Sequence, residues 1–366
     1  MSQRRIRAVY MRGGTSRCLV FHDKDLPRPG IERDQILLAA LGSPDPYGRQ
    51  LDGLGGGISS LSKACIIGPA SHRDAQVDYT FAQIEVSKAV VDYTGNCGNC
   101  SSSIGPFAID ERLVPSADGE TIVRIHNTNT KKLIVAHVPV AGGEAAVDGE
   151  FELPGVAGRG ARIALDFVDP GGAGTGRLLP SGHARDTIDG VAASLVDATN
   201  PVVFVRAKDL DLGGTETPQA IDADKDLAAR LEKIRVVAAE MMGIPGSAAN
   251  PKVAVVAPPA PFAALDGNRY VAEQVDVLAR VISMGNCHRA FALTSAMCLA
   301  VAARIEGTVV SECAASRGHG DVRLGHPSGI LPIAASVGLR EGRPHAERVT
   351  VYRTARRLME GFVRVP

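Results

Sequence analysis

The tripeptide Gly-Asn-Cys occurs at 95–97, at 98–100 and again at 285–287 of this 366-residue chain. Each locus leads toward an apolar stretch with helical character, and the two loci lie about half a chain apart. Two similar domains, each presenting the N-terminus of a buried helix, account for the pattern. Chance recurrence in a chain with 40 glycines accounts for it as well. The length independently exceeds what one core comfortably fills. The boundary is expected between 1–185 and 186–366, with the last residues free to return to the first domain.

Strand patterns dominate the first half. Val77 to Val86 alternates apolar and polar residues with period two. Thr121–His126 and Leu133–Val140 flank the turn-forming Asn127-Thr128-Asn129-Thr130 and read as a hairpin. A strand from Ile6 to Val20 is broken at Met11–Gly14, so a loop or tight turn carries Arg12, Thr15 and Ser16. In the second half, Leu227, Leu231, Ile234, Ala238 and Met241 form a helical stripe, with Asp222 or Asp224 as cap and Gly243 as stop. Val271–Ile282 reads as a second helix. Ala290–Ile305 is apolar nearly all round and predicts a buried one. Ser194–Asp197 and Val202–Val205 read as strands around Asn200-Pro201.

Forty basic residues balance forty acidic ones. No basic stripe or tail points to nucleic acid or an anionic membrane. No apolar run approaches the roughly 18 residues of a membrane span, and no apolar secretory segment follows the basic N-terminus. Seven cysteines, an odd count, argue against a disulfide scaffold and for a reducing cytoplasm. Tryptophan is absent and aromatics are few, which disfavours stacking on bases or sugars.

Four groups of residues carry chemistry. Lys63 sits among small and apolar residues; burial there lowers an amine's pKa from about 10.4 and makes a neutral base available. An exposed lysine at a strand start is the plainer alternative. Cys97 stands between two Gly-Asn pairs at a helix start, where thiolate is stabilised and amides can hold a carboxylate. A buried structural thiol remains open for it, and so does a metal or redox pair, because Cys97-Gly98-Asn99-Cys100 is a C-x-x-C. Neither a second such pair nor a thioredoxin-like context accompanies it. Arg12, with Thr15, Ser16 and the Gly13 and Gly14 amides, can grip a carboxylate, or can be a solvated hairpin tip. Ser283-Met284-Gly285-Asn286-Cys287-His288 can supply amides to a second carboxylate. His288 reads equally as a ligand donor or a satisfied core histidine, and Gly325-His326-Pro327 is a loop with binding potential. The chain lacks G-x-G-x-x-G, Walker, H-E-x-x-H and G-x-S-x-G signatures.

Several blocks resemble the PrpF group of isomerases and tautomerases. These are Met11-Arg12-Gly13-Gly14-Thr15-Ser16, Ser62-Lys63, Asp78–Gln83, Gly95–Asn99, His126–Thr130, Gly214–Pro218, Gly325–Pro327 and Arg353–Gly361. Together they span nearly the whole chain. The group includes 2-methylaconitate isomerase, 3-methylitaconate delta-isomerase and 4-oxalomesaconate tautomerase. The resemblance implies an α+β, diaminopimelate-epimerase-like fold: two similar domains, each a β-sheet wrapped around a central helix. It implies cofactor-free migration of a C=C bond in an unsaturated di- or tricarboxylate, with Lys63 and Cys97 as the proton-transfer pair. Arg17-Cys18 departs from the Lys-Gly common in the group, Cys100 occupies a variable position, and Cys287 matches no family cysteine. His288 does match.

The expected mechanism has neutral Lys63 as base and Cys97 or Lys63 as returning acid. Arg12, Thr15, Ser16, Gly98, Asn99, Met284, Gly285, His288 and His326 bind substrate. No metal or cofactor is expected. The expected partners are a small unsaturated polycarboxylate and further copies of the chain, not nucleic acid or membrane. The methylitaconate type is preferred and the oxalomesaconate tautomerase is the alternative. An accessory protein of an iron–sulfur dehydratase and a C-x-x-C redox or metal protein are alternatives of another class.

Overall fold

The computed structural model describes residues 3–245, 250–283, 285–315 and 320–366. They fall into two compact units, 1–167 with 352–366, and 168–351. The division lies at 167/168, earlier in the chain than the expected 185/186, and the C-terminal segment belongs to the first unit.

In the first unit, β1 (Arg4–Gly13) and β2 (Ser16–His22) form an antiparallel hairpin through Gly14-Thr15. The break expected at Met11–Gly14 is thus confined to the turn itself. β2 runs parallel to β3 (Lys63–Pro69), and β3 antiparallel to β4 (Val77–Ile84). β4 runs parallel to the strand Gly119–Asn127, which turns back antiparallel into Lys132–Ala141. The strand Ala355–Val365 closes on the free side of β1. Helix α1 (Ile31–Leu41) buries Ile36, Leu37, Ala40 and Leu41 against Leu19, Phe21, Ala64 and Ile66.

Helix α2 (Gly98–Asp110) runs through the middle, touching β1, β2, the 119–141 hairpin and the C-terminal strand. Small residues make this possible. A Cβ on Gly105 would stand 2.7 Å from Val138 Cγ2 and 3.0 Å from Ala136 Cβ. The three buried serines satisfy themselves inside the helix. Ser101 Oγ donates to Cys97 O at 3.0 Å, Ser102 Oγ to Asn99 O at 2.7 Å, and Ser103 Oγ to Cys100 O at 2.7 Å. A helix can therefore be polar in sequence and still occupy a core.

The second unit repeats the same succession of pairings. Val191–Asp197 is antiparallel to Pro201–Arg206, which is parallel to Lys252–Ala257. Lys252–Ala257 is antiparallel to Val277–Ser283, which is parallel to Asp321–His326, and that strand is antiparallel to Gly329–Arg340. After α3 (Pro218–Ala223), α4 (Lys225–Met241) buries Leu227, Leu231, Ile234 and Ala238, with Asp224 accepting from Leu227 N at 2.9 Å as cap. Helix α5 (Leu293–Ala303) is buried on almost every side. α1 and α4 each bridge the first parallel pair of their unit, and α2 and α5 each bridge the second. This is the two-unit α+β architecture that the family resemblance implies.

Two expectations fail here. Val271–Ile282 is not a helix: after a short 3-10 turn at Ala272–Gln274 the chain is the strand Val277–Ser283. A run of β-branched and apolar residues around the buried Arg280 fits a strand buried on both faces, a pattern that periodicity alone cannot separate from a buried helix. The second Gly-Asn-Cys does not open α5. Asn286-Cys287 is a short strand paired with Val277–Ser283, and α5 begins six residues later with no side-chain cap.

Candidate active site

The first Gly-Asn-Cys locus does open a helix. Cys97 is the N-cap of α2, in extended conformation, and its sulfur accepts from Cys100 N at 3.5 Å. Its thiol is pushed down to about 5. A hydrogen bond from the Cys100 thiol contributes most; the Lys63 charge and the Cys100 and Asn99 amides add to it, against the opposing effect of burial. The N-cap position explains this. The first amides of a helix lack intrahelical acceptors and carry the positive end of its dipole.

Lys63 starts β3 and is only 7% exposed. It pairs across the strands with Gln83 of β4, and its Nζ donates to Gln83 Oε1 at 2.5 Å. Gln83 cannot turn its amide away, because Nε2 is spent on Ser62 O at 2.8 Å and Ser59 O at 3.1 Å. The ammonium also lies 5.1 Å from the Phe81 ring centre. It is near enough to stabilise the Cys97 thiolate electrostatically.

Arg353 is the residue that the sequence reading left without a role. It is 5% exposed, and its Nε donates to Asn99 Oδ1 at 3.0 Å. Burial pulls its guanidinium down to about 10, while the Cys97 charge acts in the opposite sense. Asn99 in turn donates Nδ2 to Thr15 Oγ1 at 3.1 Å. The first turn of α2 is thereby tied to the β1–β2 hairpin and the C-terminal segment. The glycine pair permits that approach: a Cβ on Gly13 would stand 2.6 Å from Asn99 O, and one on Gly14, whose φ is +52°, 2.3 Å from Asn99 Oδ1.

Several of the expected binding residues have partners or settings within the fold. Arg12 Nη1 donates to Gly14 O at 3.0 Å and Thr354 O at 2.9 Å, so it pins the turn. Ser16 is buried at the start of β2, and Thr15 is exposed on the turn. The Asn99 amide, expected to hold a carboxylate, is turned onto the Cys97 sulfur. Asn129 of the family-like His126–Thr130 block braces β4: it accepts from Phe81 N at 2.8 Å and donates to Phe81 O at 2.9 Å and Tyr93 O at 2.8 Å.

The remaining residues belong to the second unit. Gly285 is a turn residue between strands, not a helix N-terminus, and with Cys287, Lys252 and Arg235 it lines a cavity of about 350 Å³. His288 Nδ1 accepts from Ala290 N at 3.0 Å, and burial lowers its pKa. His326 is buried at a strand end, its Nδ1 accepting from Ser328 N at 3.2 Å. Met284 lies outside the described residues.

Residues 3–366 match the family described as PrpF protein. The chain belongs to the PrpF family. It is 43% identical to the 3-methylitaconate isomerase of Eubacterium barkeri over 99% of this chain and 98% of that one. It is 39% identical to the 2-methyl-aconitate isomerase of Shewanella oneidensis over 100% and 98%. A crystal structure of methylitaconate-delta-isomerase superposes with a TM-score of 0.91 at 41% identity, covering 100% of this chain and 96% of the other. A hydroxyproline epimerase from Agrobacterium vitis, 14% identical, aligns over 99% of this chain and 93% of its own at a TM-score of 0.53, so the racemase–epimerase fold is shared. Among the described residues no helix is long and apolar enough to cross a membrane.

Proposed function

We propose that this chain is a cofactor-independent isomerase that shifts a C=C bond in a small unsaturated di- or tricarboxylate of the 3-methylitaconate or 2-methylaconitate type. Cys97 carries the proton transfer and Lys63 the positive charge beside it. One observation carries the reading. A thiol at the N-cap of a central helix, beside buried Lys63 and Arg353, sits in a chain alike over its whole length to isomerases of those two acids.

The division of labour differs from a neutral-lysine mechanism. A thiol held at about 5 is ionised at neutral pH by roughly a hundred to one. Cys97 is therefore the base, and Lys63, donating to Gln83, supplies positive charge. The thiolate takes the allylic proton, and the electron pair spreads over the alkene and its carboxylate as a dienolate. The resulting thiol, whose proton exchanges with solvent, delivers a proton to the far end of the allyl unit and the thiolate is regenerated. No redox equivalent is consumed.

A thiolate of such low basicity is a poor match for a carbon acid, so the dienolate itself must be strongly stabilised. Lys63, Arg353 and the first turn of α2 provide that positive potential. All seven cysteines are free thiols, which suits a reducing compartment such as the cytoplasm. Incubating the protein with a panel of unsaturated polycarboxylates in deuterated water, followed by proton NMR, tests the reading. Isomerisation of a methylitaconate- or methylaconitate-type acid with deuterium entering the allylic positions is expected. Turnover of none of the panel would refute it.

A further inference from the structure

Cys97 has three cysteine neighbours that the isomerase reading leaves without chemistry of their own. Cys18 lies in β2, Cys65 in the adjacent parallel β3, and Cys100 in the first turn of α2. All three are fully buried, and their sulfur atoms lie within 4.8 Å of one another. The C-x-x-C visible in the sequence is thus not the cluster. Only its second cysteine belongs, and the other two come from positions 18 and 65.

We propose that Cys18, Cys65 and Cys100 form a three-thiolate binding site for a soft monovalent d10 cation, with Cu(I) as the occupant. Ligand type selects first: thiolates favour Cu(I), zinc and iron–sulfur groups over hard cations. Coordination number selects next. Zinc in a closed protein site is almost always four-coordinate. Among the described residues no fourth cysteine, histidine or carboxylate shares the 4.8 Å group. Three thiolates at metal–sulfur distances near ~2.3 Å place their sulfurs ~4.0 Å apart in a trigonal plane, which the observed spacing accommodates.

The surroundings fit such a centre. The Cys65 sulfur is 3.9 Å from Tyr79 Oη, a hydroxyl standing where a coordinated thiolate accepts a hydrogen bond, and the Cys18 sulfur is 3.7 Å from Ser103 Oγ, whose own proton goes to Cys100 O. Lys63 lies close enough to interact electrostatically with Cys18, and its charge offsets part of the excess negative charge of three thiolates around one monovalent ion. Two strands and a helix hold the ligands, so little reorganisation accompanies binding. Cys97, hydrogen-bonded to the Cys100 amide, is only half-buried.

The test reads metal rather than turnover, so it stands apart from the isomerase assignment. Reduced full-length protein is titrated anaerobically with tetrakis(acetonitrile)copper(I) against bathocuproine disulfonate. One equivalent per chain is expected, with an ultraviolet thiolate-to-copper charge-transfer band and three sulfur neighbours by X-ray absorption. Cys18→Ala and Cys65→Ala should each weaken binding by at least the roughly 100-fold that loss of an outer-sphere partner alone can cost. Cys97→Ser should keep the stoichiometry and the sulfur count. Substoichiometric copper overturns the proposal. So does unchanged binding in either alanine variant, or loss of binding in Cys97→Ser, which would move the site to the C-x-x-C pair. Should an alanine variant fail to fold, the sulfur count of the unaltered protein decides, and two neighbours instead of three refute it.

Discussion

Replacing Cys100 by alanine should move the acid limb of the activity profile upward without touching the thiolate directly. The Cys100 thiol is the largest single contributor to the depression of Cys97, and the backbone amides remain when it is removed. A hydrogen bond to a charged group is worth about 1.5–3 kcal/mol, and one pKa unit corresponds to about 1.4 kcal/mol. The Cys97 value should therefore rise from about 5 by roughly one to two units. The sign follows from the ionised form being the base: activity is present above the pKa and lost as pH falls through it. With a midpoint about 1.5 units higher, the thiolate fraction at pH 6 falls about fourfold, while above pH 8 it is nearly unchanged. Two assays read this: kcat/KM against pH, and the pH dependence of iodoacetamide alkylation of Cys97. Cys100→Ser retains a hydroxyl donor and should restore most of the shift. An acid limb and an alkylation midpoint that both stay put in Cys100→Ala would refute the reasoning.

Three further outcomes are expected. Gly14→Ala forces an L-residue into a left-handed turn against Asn99 and should lower stability by at least about 1–2 kcal/mol; Gly95→Ala, with open space around it, should not, and thermal denaturation compares the two. Gln83→Leu removes the acceptor that fixes Lys63 and should cut kcat on the order of 10-fold, the equivalent of one hydrogen bond, with KM changed less; steady-state kinetics checks the split. Arg353→Met removes the tie to Asn99 and one cation beside Cys97. It should raise the pH midpoint of Cys97 alkylation, and an unchanged midpoint would deny it that electrostatic role.

Local chemistry was readable from the sequence, and long-range chemistry was not. The stripe Leu227–Ala238 with its Asp224 cap, from which exposed Met241 drops out, and the hairpin around Asn127–Thr130, depend on residues a few positions apart. Their patterns carry the whole signal. Val277–Ser283 was misread because a strand buried on both faces has no polar face to mark its period. Lys63 and Cys97 stand out by type and setting. Arg353 meets Asn99 from 254 positions away, so no local pattern announces it; its only trace was membership of a family-like tail. Arg12 was assigned to a ligand because arginine beside glycines suits a carboxylate, yet two backbone carbonyls of the turn claim its Nη1. Likewise C-x-x-C drew attention to two neighbouring thiols, whereas the sheet order gathers Cys18 and Cys65 around Cys100.

Deuterium exchange at the allylic carbon of a turned-over substrate, followed by proton NMR in the Cys97→Ala protein, tests the assignment of the thiolate as base most directly. The account predicts that exchange and isomerisation stop together while the protein stays folded. Exchange continuing at an undiminished rate without the sulfur would contradict it.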